Sequence, residues 1–471
     1  MPTLLQLYHR LPPALRSVPA SLRGYYLRTW RYTKTTDRLA REFLARDSWD
    51  VHAWKRYQDE RLSFVLTRAA TQVPYYRTLW QERRRRGDNA SFHELANWPI
   101  LEKEEIRNAP HAFVADDCDP KRMFHEHTSG TTGKSLDLWW SKDTVRTWYA
   151  MFEARSRLWY GVSRHDRWAI LGGQLVTPAA DRKPLFWVWN AGLKQFYMSS
   201  YHLAPDLIPH YLDALIAHRV TYLFGYTSSL YALAQEVLKL RRRDVRMRVA
   251  IANAEPVFDY QRAEIEEAFQ CPLRETYGMA ELAAAAGECA EGEMHIWPDV
   301  GVVELVENGI AVEDGQAGDL VCTGLLNADM PLIRYRVGDR ATARPHVERC
   351  RCGRGMPMLA SIDGRSDDVL YTKDGRAIGR LDPVFKQHLP VLEAQIIQES
   401  LDHVRILYVP ADNYSDEAGR SMVTRLQERL GPVNVTLERR DELPRTANGK
   451  FRAVISLVKR PSTRSSTGRG T

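Results

Sequence analysis

The chain of 471 residues has only six cysteines. That is too few to staple so long a polypeptide with a disulfide framework, so they are expected as thiols or metal ligands in a reducing compartment. No apolar run approaches the roughly 18 residues a membrane helix needs, which excludes a transmembrane segment. The first twenty residues are interrupted by His9, Arg10, Pro12, Pro13 and Arg16 and do not form a signal-peptide core, so a cytoplasmic protein is expected. No internal repeat is visible. Acidic residues are outnumbered, 59 against 66 Lys and Arg, for a formal charge of +7. The excess sits in short segments, at 83–86, 241–243 and after Lys459, which suits solvated faces and loops better than a nucleic-acid surface.

What is present begins with Thr128-Ser129-Gly130-Thr131-Thr132-Gly133-Lys134-Ser135. Gly130 and Gly133 let backbone N–H groups turn toward an anion, the hydroxyls donate to phosphate oxygens, and Lys134 adds charge. A Walker loop requires four residues between its first glycine and the Gly-Lys pair, but here only Thr131 and Thr132 intervene. The following Leu136, Leu138 and Trp140 alternate with Asp137 and Trp139, a strand period where a Walker loop would enter a helix. The segment is a phosphate-gripping turn of another kind.

Four further stations follow in order: Tyr277-Gly278-Met279-Ala280-Glu281, Arg334-Tyr335-Arg336-Val337-Gly338-Asp339, Gly364-Arg365-Ser366-Asp367-Asp368 and Pro444-Arg445-Thr446-Ala447-Asn448-Gly449-Lys450. With the loop, this collinear series resembles the adenylate-forming superfamily of acyl-CoA synthetases and adenylation domains. Val73-Pro74-Tyr75-Tyr76-Arg77, Pro99-Ile100-Leu101-Glu102-Lys103, Ala254-Glu255-Pro256, Cys350-Arg351-Cys352-Gly353-Arg354 and the stretch from Gln395 to Gln398 make it most similar to the phenylacetate-CoA ligase branch and its capsule-biosynthesis relatives.

The resemblance implies an AMP-forming acid ligase. A carboxylate is activated by ATP as an acyl-adenylate, pyrophosphate leaves, and the acyl group passes to a thiol, CoA in the first instance. Its setting would be polysaccharide or secondary-metabolite assembly. Thr128, Ser129, Gly130, Thr131, Thr132, Gly133 and Lys134 would hold the β- and γ-phosphates, and Glu281 the Mg²⁺. Tyr277, with Gly278, Met279 and Ala280, would lie against adenine, and Ala254, Glu255 and Pro256 would line its edge. Asp339 would take the ribose hydroxyls and Arg365 ribose or phosphate. Lys450 would bring an ammonium to the reacting oxygen and α-phosphate. Asp367 would be the hinge of a small rotating domain. Gly172, Gly173 and Tyr226 would wall the acid pocket, with Trp187 either beside it or in the core. His127 either orients the acid or is a satisfied structural histidine. A positive field would assist capture of these anionic substrates.

Cys289 and His295, with Cys350 and Cys352, supply three thiolates and one imidazole, the complement of a tetrahedral structural Zn²⁺ site. The one-residue gap between Cys350 and Cys352 is tighter than usual, but relatives of this branch carry a comparable set. Cys118, Cys271 and Cys322 read as ordinary thiols. Two departures bear on function. The loop ends in Ser135 where relatives often have proline, and Tyr371-Thr372-Lys373-Asp374-Gly375-Arg376-Ala377-Ile378-Gly379 differs from the glycine-rich turn of CoA ligases near the thiol tunnel. The acceptor could therefore be CoA, a carrier-protein thiol, an amine or a hydroxyl. Alternatives are an adenylyltransferase that attaches AMP to a hydroxyl, and a non-catalytic binding member. The sequence leaves oligomeric state open, a dimer included.

Coarse periodicity predicts an α/β fold, a layered body with parallel sheets followed by a small α+β unit; the resemblance implies that these are a large N-terminal adenylate-forming body and a small C-terminal domain. The expected division is a basic aromatic extension at 1–50, an AMP-binding domain at 51–366, a mobile domain at 367–460 and a disordered tail at 461–471. The extension, with Tyr25, Tyr26, Trp30 and Tyr32 beside Arg23, Arg28 and Arg31, would either touch an acidic membrane or a partner, or pack on the body; no long amphipathic helix is evident in it. Helical spacing is read over 54–81, 101–106, 207–217, 230–240, 260–269 and 416–430. Strands are read over 220–224, 249–252, 302–306, 320–323, 332–335, 404–409 and 433–437. Ligands are expected at the strand ends, where Glu255 and Tyr277 fall.

Overall fold

The structure, a computed structural model, describes residues 4–128, 135–178, 180–255, 257, 259–307, 309–313, 315–344, 349–362, 370–374, 377–378, 381, 384, 389–411, 413–441, 443–444 and 454–458. Ser129, Gly130, Thr131, Thr132, Gly133, Lys134, Pro256, Arg365, Asp367, Lys450 and the tail at 461–471 lie outside the described residues.

The chain begins with helices α1 (Leu4–His9), α2 (Ser17–Arg31), α3 (Lys34–Arg46), α4 (Val51–Gln72), α5 (Pro74–Arg85) and α6 (Lys103–Asn108). Two of them correct the reading of the first fifty residues, which contain long helices after all. The stripe is faint because the buried positions of α3 are Thr36, Ala40 and Phe43, with one large apolar side chain among them. The helical spacing over 54–81 divides at Val73: Pro74 has no N–H to continue α4, while its fixed φ suits the first position of α5. The Asp50 carboxylate caps α4 by accepting from the Ala53 N–H at 2.7 Å. Glu102 and Glu105 form a capping box at α6, which fixes the orientation of neighbouring Lys103.

Strands β1 (Phe124–His127) and β2 (Asp137–Trp140) pair antiparallel, and helix α7 (Lys142–Ser156) follows. The alternating segment then runs β3 (Trp168–Gly172), β4 (Trp187–Asn190), β5 (Gln195–Ser199), α8 (Ile208–Ala217), β6 (Tyr222–Tyr226), α9 (Thr227–Lys239), β7 (Ala250–Asn253), α10 (Asp259–Phe269) and β8 (Leu273–Gly278). Here β3 pairs in parallel with both β5 and β6, and β6–β7 and β7–β8 are also parallel. Helices α8, α9 and α10 bury Leu212, Leu233 and Phe269 in a core with these strands, the expected consequence of crossover connections. Trp187 is in that core too, against Phe196 and Tyr211.

The chain continues through β9 (Ala285–Glu288), β10 (Met294–Ile296), β11 (Gly301–Glu307), β12 (Ile310–Ala311), β13 (Ala317–Gly324), β14 (Tyr335–Ala343) and β15 (Met358–Ile362). Among the described residues one 13-stranded sheet results, in the order β12-β11-β13-β14-β15-β10-β9-β8-β7-β6-β3-β5-β4. The strand expected over 332–335 begins only at Tyr335. Arg334 has φ +47°, outside the extended region, and the Ile333 N–H donates to the Tyr76 hydroxyl at 3.1 Å instead of entering a ladder.

Beyond it lie the hairpin β16 (Leu370–Tyr371) and β17 (Ala377–Ile378), then β18 (Val391–Gln398), β19 (His403–Pro410), α11 (Asp416–Leu430), β20 (Asn434–Arg439) and β21 (Val454–Ser456). The last four strands form their own sheet, ordered β20-β19-β18-β21. Ile396, Ile406, Met422 and Leu426 form a core beneath α11 that also touches Leu175 and Tyr201 of the large body. A buried ion network ties the N-terminal helices to that body. Arg155 reaches Asp47 at 3.0 Å and Asp299 at 2.7 Å, and Arg46 reaches Asp299 at 3.0 Å. Removing one member would strand a buried charge at a cost of about 3–5 kcal/mol.

Candidate active site

Of the segment expected to grip phosphate, the described residues are Thr128, after β1, and Ser135, before β2. Thr128 closes the base: its N–H donates to Leu136 O at 3.1 Å, and its Oγ1 accepts from the Leu136 N–H at 2.8 Å. The hydroxyl expected to hold phosphate is thus also the clasp of the turn. Below it, His125 Nε2 and His127 Nδ1 lie 3.0 and 2.9 Å from the same oxygen of Asp137, and His125 stacks on Trp139. Burial, helped by neighbouring His125, lowers the His127 pKa despite that carboxylate.

The second element is the end of β8 and the turn after it. The Tyr277 hydroxyl donates to Asp339 Oδ2 at 2.8 Å, and burial followed by the Asp339 charge pushes the phenol well above its ordinary range. The Tyr335 hydroxyl donates to Glu281 Oε1 at 2.8 Å, and Lys103 Nζ stands 4.0 Å from that oxygen. The Glu281 side chain is only 8% exposed, so its charge is held among these partners instead of in water. Strand β14, which carries Tyr335 and Asp339, is four places from β8 in the sheet order. In a flat sheet that separation would be about 19 Å. The sheet therefore curls back on itself, and small residues permit it: a Cβ on Gly301 would lie 2.0 Å from Ala283 O. In the sequence Lys103 stands out only as the last residue of the Pro99–Lys103 motif. Its place beside Glu281 depends on how α6 packs, which no local pattern reveals.

The third element lies at the ends of the parallel strands. Ala254 has φ +66°, a turn that brings Glu255 back onto the N-terminus of α9. There its carboxylate accepts from the Ser228 N–H at 2.8 Å and the Ser228 hydroxyl at 3.1 Å. Gly172 ends β3 and Gly173 follows it, beneath three tyrosines. The Gly173 N–H donates to the Tyr226 hydroxyl at 3.1 Å, Tyr201 donates to Gly173 O at 2.8 Å, and a Cβ on Gly172 would lie 2.4 Å from the Tyr197 hydroxyl. Glycine is needed at 172 for that approach.

On the opposite side of β9 and β10, Cys289, His295, Cys350 and Cys352 place their donor atoms within 4.8 Å of one another. Cys289 Sγ and Cys350 Sγ are 4.0 Å apart, and Cys352 Sγ and His295 Nε2 are 3.4 Å apart. Tetrahedral thiolate and imidazole ligands of one zinc ion stand about 3.5–3.8 Å apart. The tight turn after Cys350 explains the one-residue gap: Gly353 N–H donates to Cys350 O at 2.8 Å and Cys352 N–H points at Cys350 Sγ at 3.5 Å. Burial, then the Arg354 charge, pushes His295 down to about 4, leaving a neutral ring ready to ligate. Burial raises the Cys289 thiol to about 12, whereas at Cys352 it is outweighed by hydrogen bonds from Arg354 that lower the thiol.

No helix among the described residues is long and apolar enough to cross a membrane. Residues 370–457 match the CapK C-terminal domain. In sequence the chain is similar to Protein CapK of Staphylococcus aureus, 24% identical over 461 residues, covering 96% of this chain and 99% of that protein. It is also similar to phenylacetate-coenzyme A ligase of Pseudomonas putida, 28% identical over 340 residues, covering 69% and 73%. In fold it is similar to 2-hydroxyisobutyryl-CoA ligase, solved with 2-HIB-AMP and CoA in the thioesterification state, with a TM-score of 0.55 at 21% identity over 87% of this chain and 91% of that one. The motifs stand in the order of the adenylate-forming superfamily, the sequence is similar to CapK and to phenylacetate-coenzyme A ligases, and the fold is similar to that of an acyl-CoA ligase.

Proposed function

We propose that the protein activates a carboxylic acid with ATP as an acyl-adenylate and passes the acyl group to a thiol, CoA in the first instance. The observation that carries this reading is the meeting of Tyr277 with Asp339 and of Glu281 with Tyr335 and Lys103. An aromatic face, a ribose-sized acceptor, a shielded carboxylate and a cation stand together. The acid oxygen attacks the α-phosphorus, forming a P–O bond as the bond to pyrophosphate breaks. The thiolate then attacks the acyl carbon and AMP departs with the oxygen. Charge accumulates at phosphorus and on the leaving group in the first step, so fixed cations are the main requirement.

In this reading Tyr277 and Asp339 hold the nucleoside, and the turn 128–135 grips the outer phosphates. Lys103 stands beside Glu281 to balance charge where phosphate arrives, and Lys450 approaches from the small domain, which swings about Asp367. Glu281 would hold Mg²⁺, which neutralises phosphate oxygens when bound. Gly172, Gly173 and Tyr226 border the acid. Cys289, His295, Cys350 and Cys352 would hold a structural Zn²⁺ that cross-links β9 and β10 to the turn before β15. The division into a large body ending near 366 and a smaller mobile domain belongs to the same proposal.

The decisive experiment is ATP–pyrophosphate exchange over a panel of aromatic and aliphatic acids, repeated with CoA and analysed for thioester. Acid-dependent exchange is expected, with thioester appearing once CoA is added. Exchange with no acid at all would overturn the reading. A stable product bearing AMP on a hydroxyl, with no acyl thioester, would make the protein an adenylyltransferase.

A further inference from the structure

Helix α2 is amphipathic in the wrong sense for a helix packed on a protein. Apart from half-buried Leu27 and from Trp30, which packs against Phe124 near its end, its inward positions are small or polar. Ser17 Oγ accepts from the Trp189 N–H at 3.1 Å. Ser21 Oγ donates to Trp189 O at 3.2 Å and accepts from the Ala191 N–H at 3.1 Å. Gly24 lies so near Asn190 that a Cβ would fall 1.8 Å from its side-chain oxygen. These contacts satisfy backbone groups of β4, the edge of the large sheet, and hold the helix in one rotation. Arg16, buried, secures its start by donating to His9 O and Leu11 O at 3.1 Å.

An apolar stripe runs along the outward side of α2 and the turn before it. Leu15, Val18, Leu22, Tyr25 and Tyr26 recur at helical spacing and are all exposed, Leu22 to 67%. Helix α1 adds exposed Leu5 and Leu7. Seven of the 13 exposed large hydrophobic residues among those described thus lie in one short segment, a concentration that marks an interaction surface. Arg10, Arg23 and Arg28 are exposed around them, and no Asp or Glu occurs before Asp37.

We propose that this face binds peripherally to an anionic phospholipid surface. Leucine and valine would enter the acyl boundary, the tyrosines would sit at headgroup level, and the guanidiniums would pair with lipid phosphates. A second copy fits poorly, because a two-fold contact through this face would set the exposed Arg10, Arg23 and Arg28 against the same arginines of the other copy.

The test is flotation of the full chain with phosphatidylcholine vesicles, with and without one part in three of phosphatidylglycerol. Binding to the anionic vesicles is expected, with loss at high salt. It should weaken at least about tenfold in Arg23→Glu/Arg28→Glu and disappear in Leu22→Asp/Tyr26→Asp, with melting temperature and oligomeric state unchanged. The proposal fails if neither vesicle is bound, if both are bound equally, or if the variants bind as the parent does. It also fails if the parent is a dimer that Leu22→Asp/Tyr26→Asp dissociates, since a second copy would then cover the face.

Discussion

Strands β8, β9 and β10 separate two clusters of polar side chains that differ in how they are satisfied. Around Tyr277, Asp339, Glu281 and Tyr335 each carboxylate already has a hydroxyl donor, and Lys103 stands 4.0 Å away, close enough to attract but not to clamp. Around Cys289, His295, Cys350 and Cys352, three sulfurs and an imidazole nitrogen converge within 4.8 Å of one another. In the proposed reading the first cluster exchanges partners during turnover. The second would hold a resident zinc ion. One would serve traffic and the other permanence.

The sharpest way to break this contrast is to remove a group proposed to act only in turnover. Lys450→Ala should slow adenylation by roughly 10²–10³, read by pyrophosphate exchange, and leave the melting temperature unchanged. Near-parent exchange would take Lys450 out of the first half-reaction. On the permanent side, Cys289→Ser should abolish stoichiometric zinc in protein purified without chelator and destabilise the fold by more than about 3 kcal/mol. Parent protein lacking metal by elemental analysis would leave this cluster a set of packed thiols.

These sites were unequally legible in the sequence. The meeting of Tyr277 with Asp339 is foreshadowed because each belongs to a short motif whose order survives in one dimension, as does Glu281. Helix α11 was legible because Ser415 caps it, its buried positions follow a regular period and Gly431 ends it. Lys103 beside Glu281 was not, since the two are far apart in the chain and meet only because the sheet curls. Helix α2 escaped for another reason: its inward face is Ser17, Ser21 and Gly24, so its apolar stripe points away from the core a periodicity search assumes. The strand read over 332–335 failed because β propensity there yields to the positive φ of Arg334.

A smaller perturbation sharpens the contrast within the exchangeable cluster. Tyr335→Phe removes the hydroxyl that donates to Glu281 and leaves that shielded carboxylate short of a partner, at a cost of about 1–3 kcal/mol. If Glu281 handles phosphate-bound metal, the loss should appear in exchange rate and in the Mg²⁺ concentration for half-maximal activity, at roughly 10–100-fold in combination. A variant altered only in melting temperature would make the pair structural, and the two clusters would then be alike.

The smallest expected effect concerns Glu275, which stands on β8 between the clusters, two residues before Tyr277. Burial, and then the nearby Glu288 charge, raises its carboxyl from 4.5 to about 7. A folded-state pKa above the unfolded one means that the folded protein holds the proton more tightly. The stabilisation is full below about pH 4.5 and is lost as pH rises through about 7. Glu275→Gln cannot ionise and escapes that loss. Its stability relative to the parent should therefore rise by on the order of 1–3 kcal/mol between pH 4.5 and 8, measured by urea unfolding at each pH. Arg262 and Arg274 pair with Glu288 at 3.0 and 3.4 Å. A difference independent of pH would show that Glu275 ionises freely and that the strand between the clusters carries no stored proton.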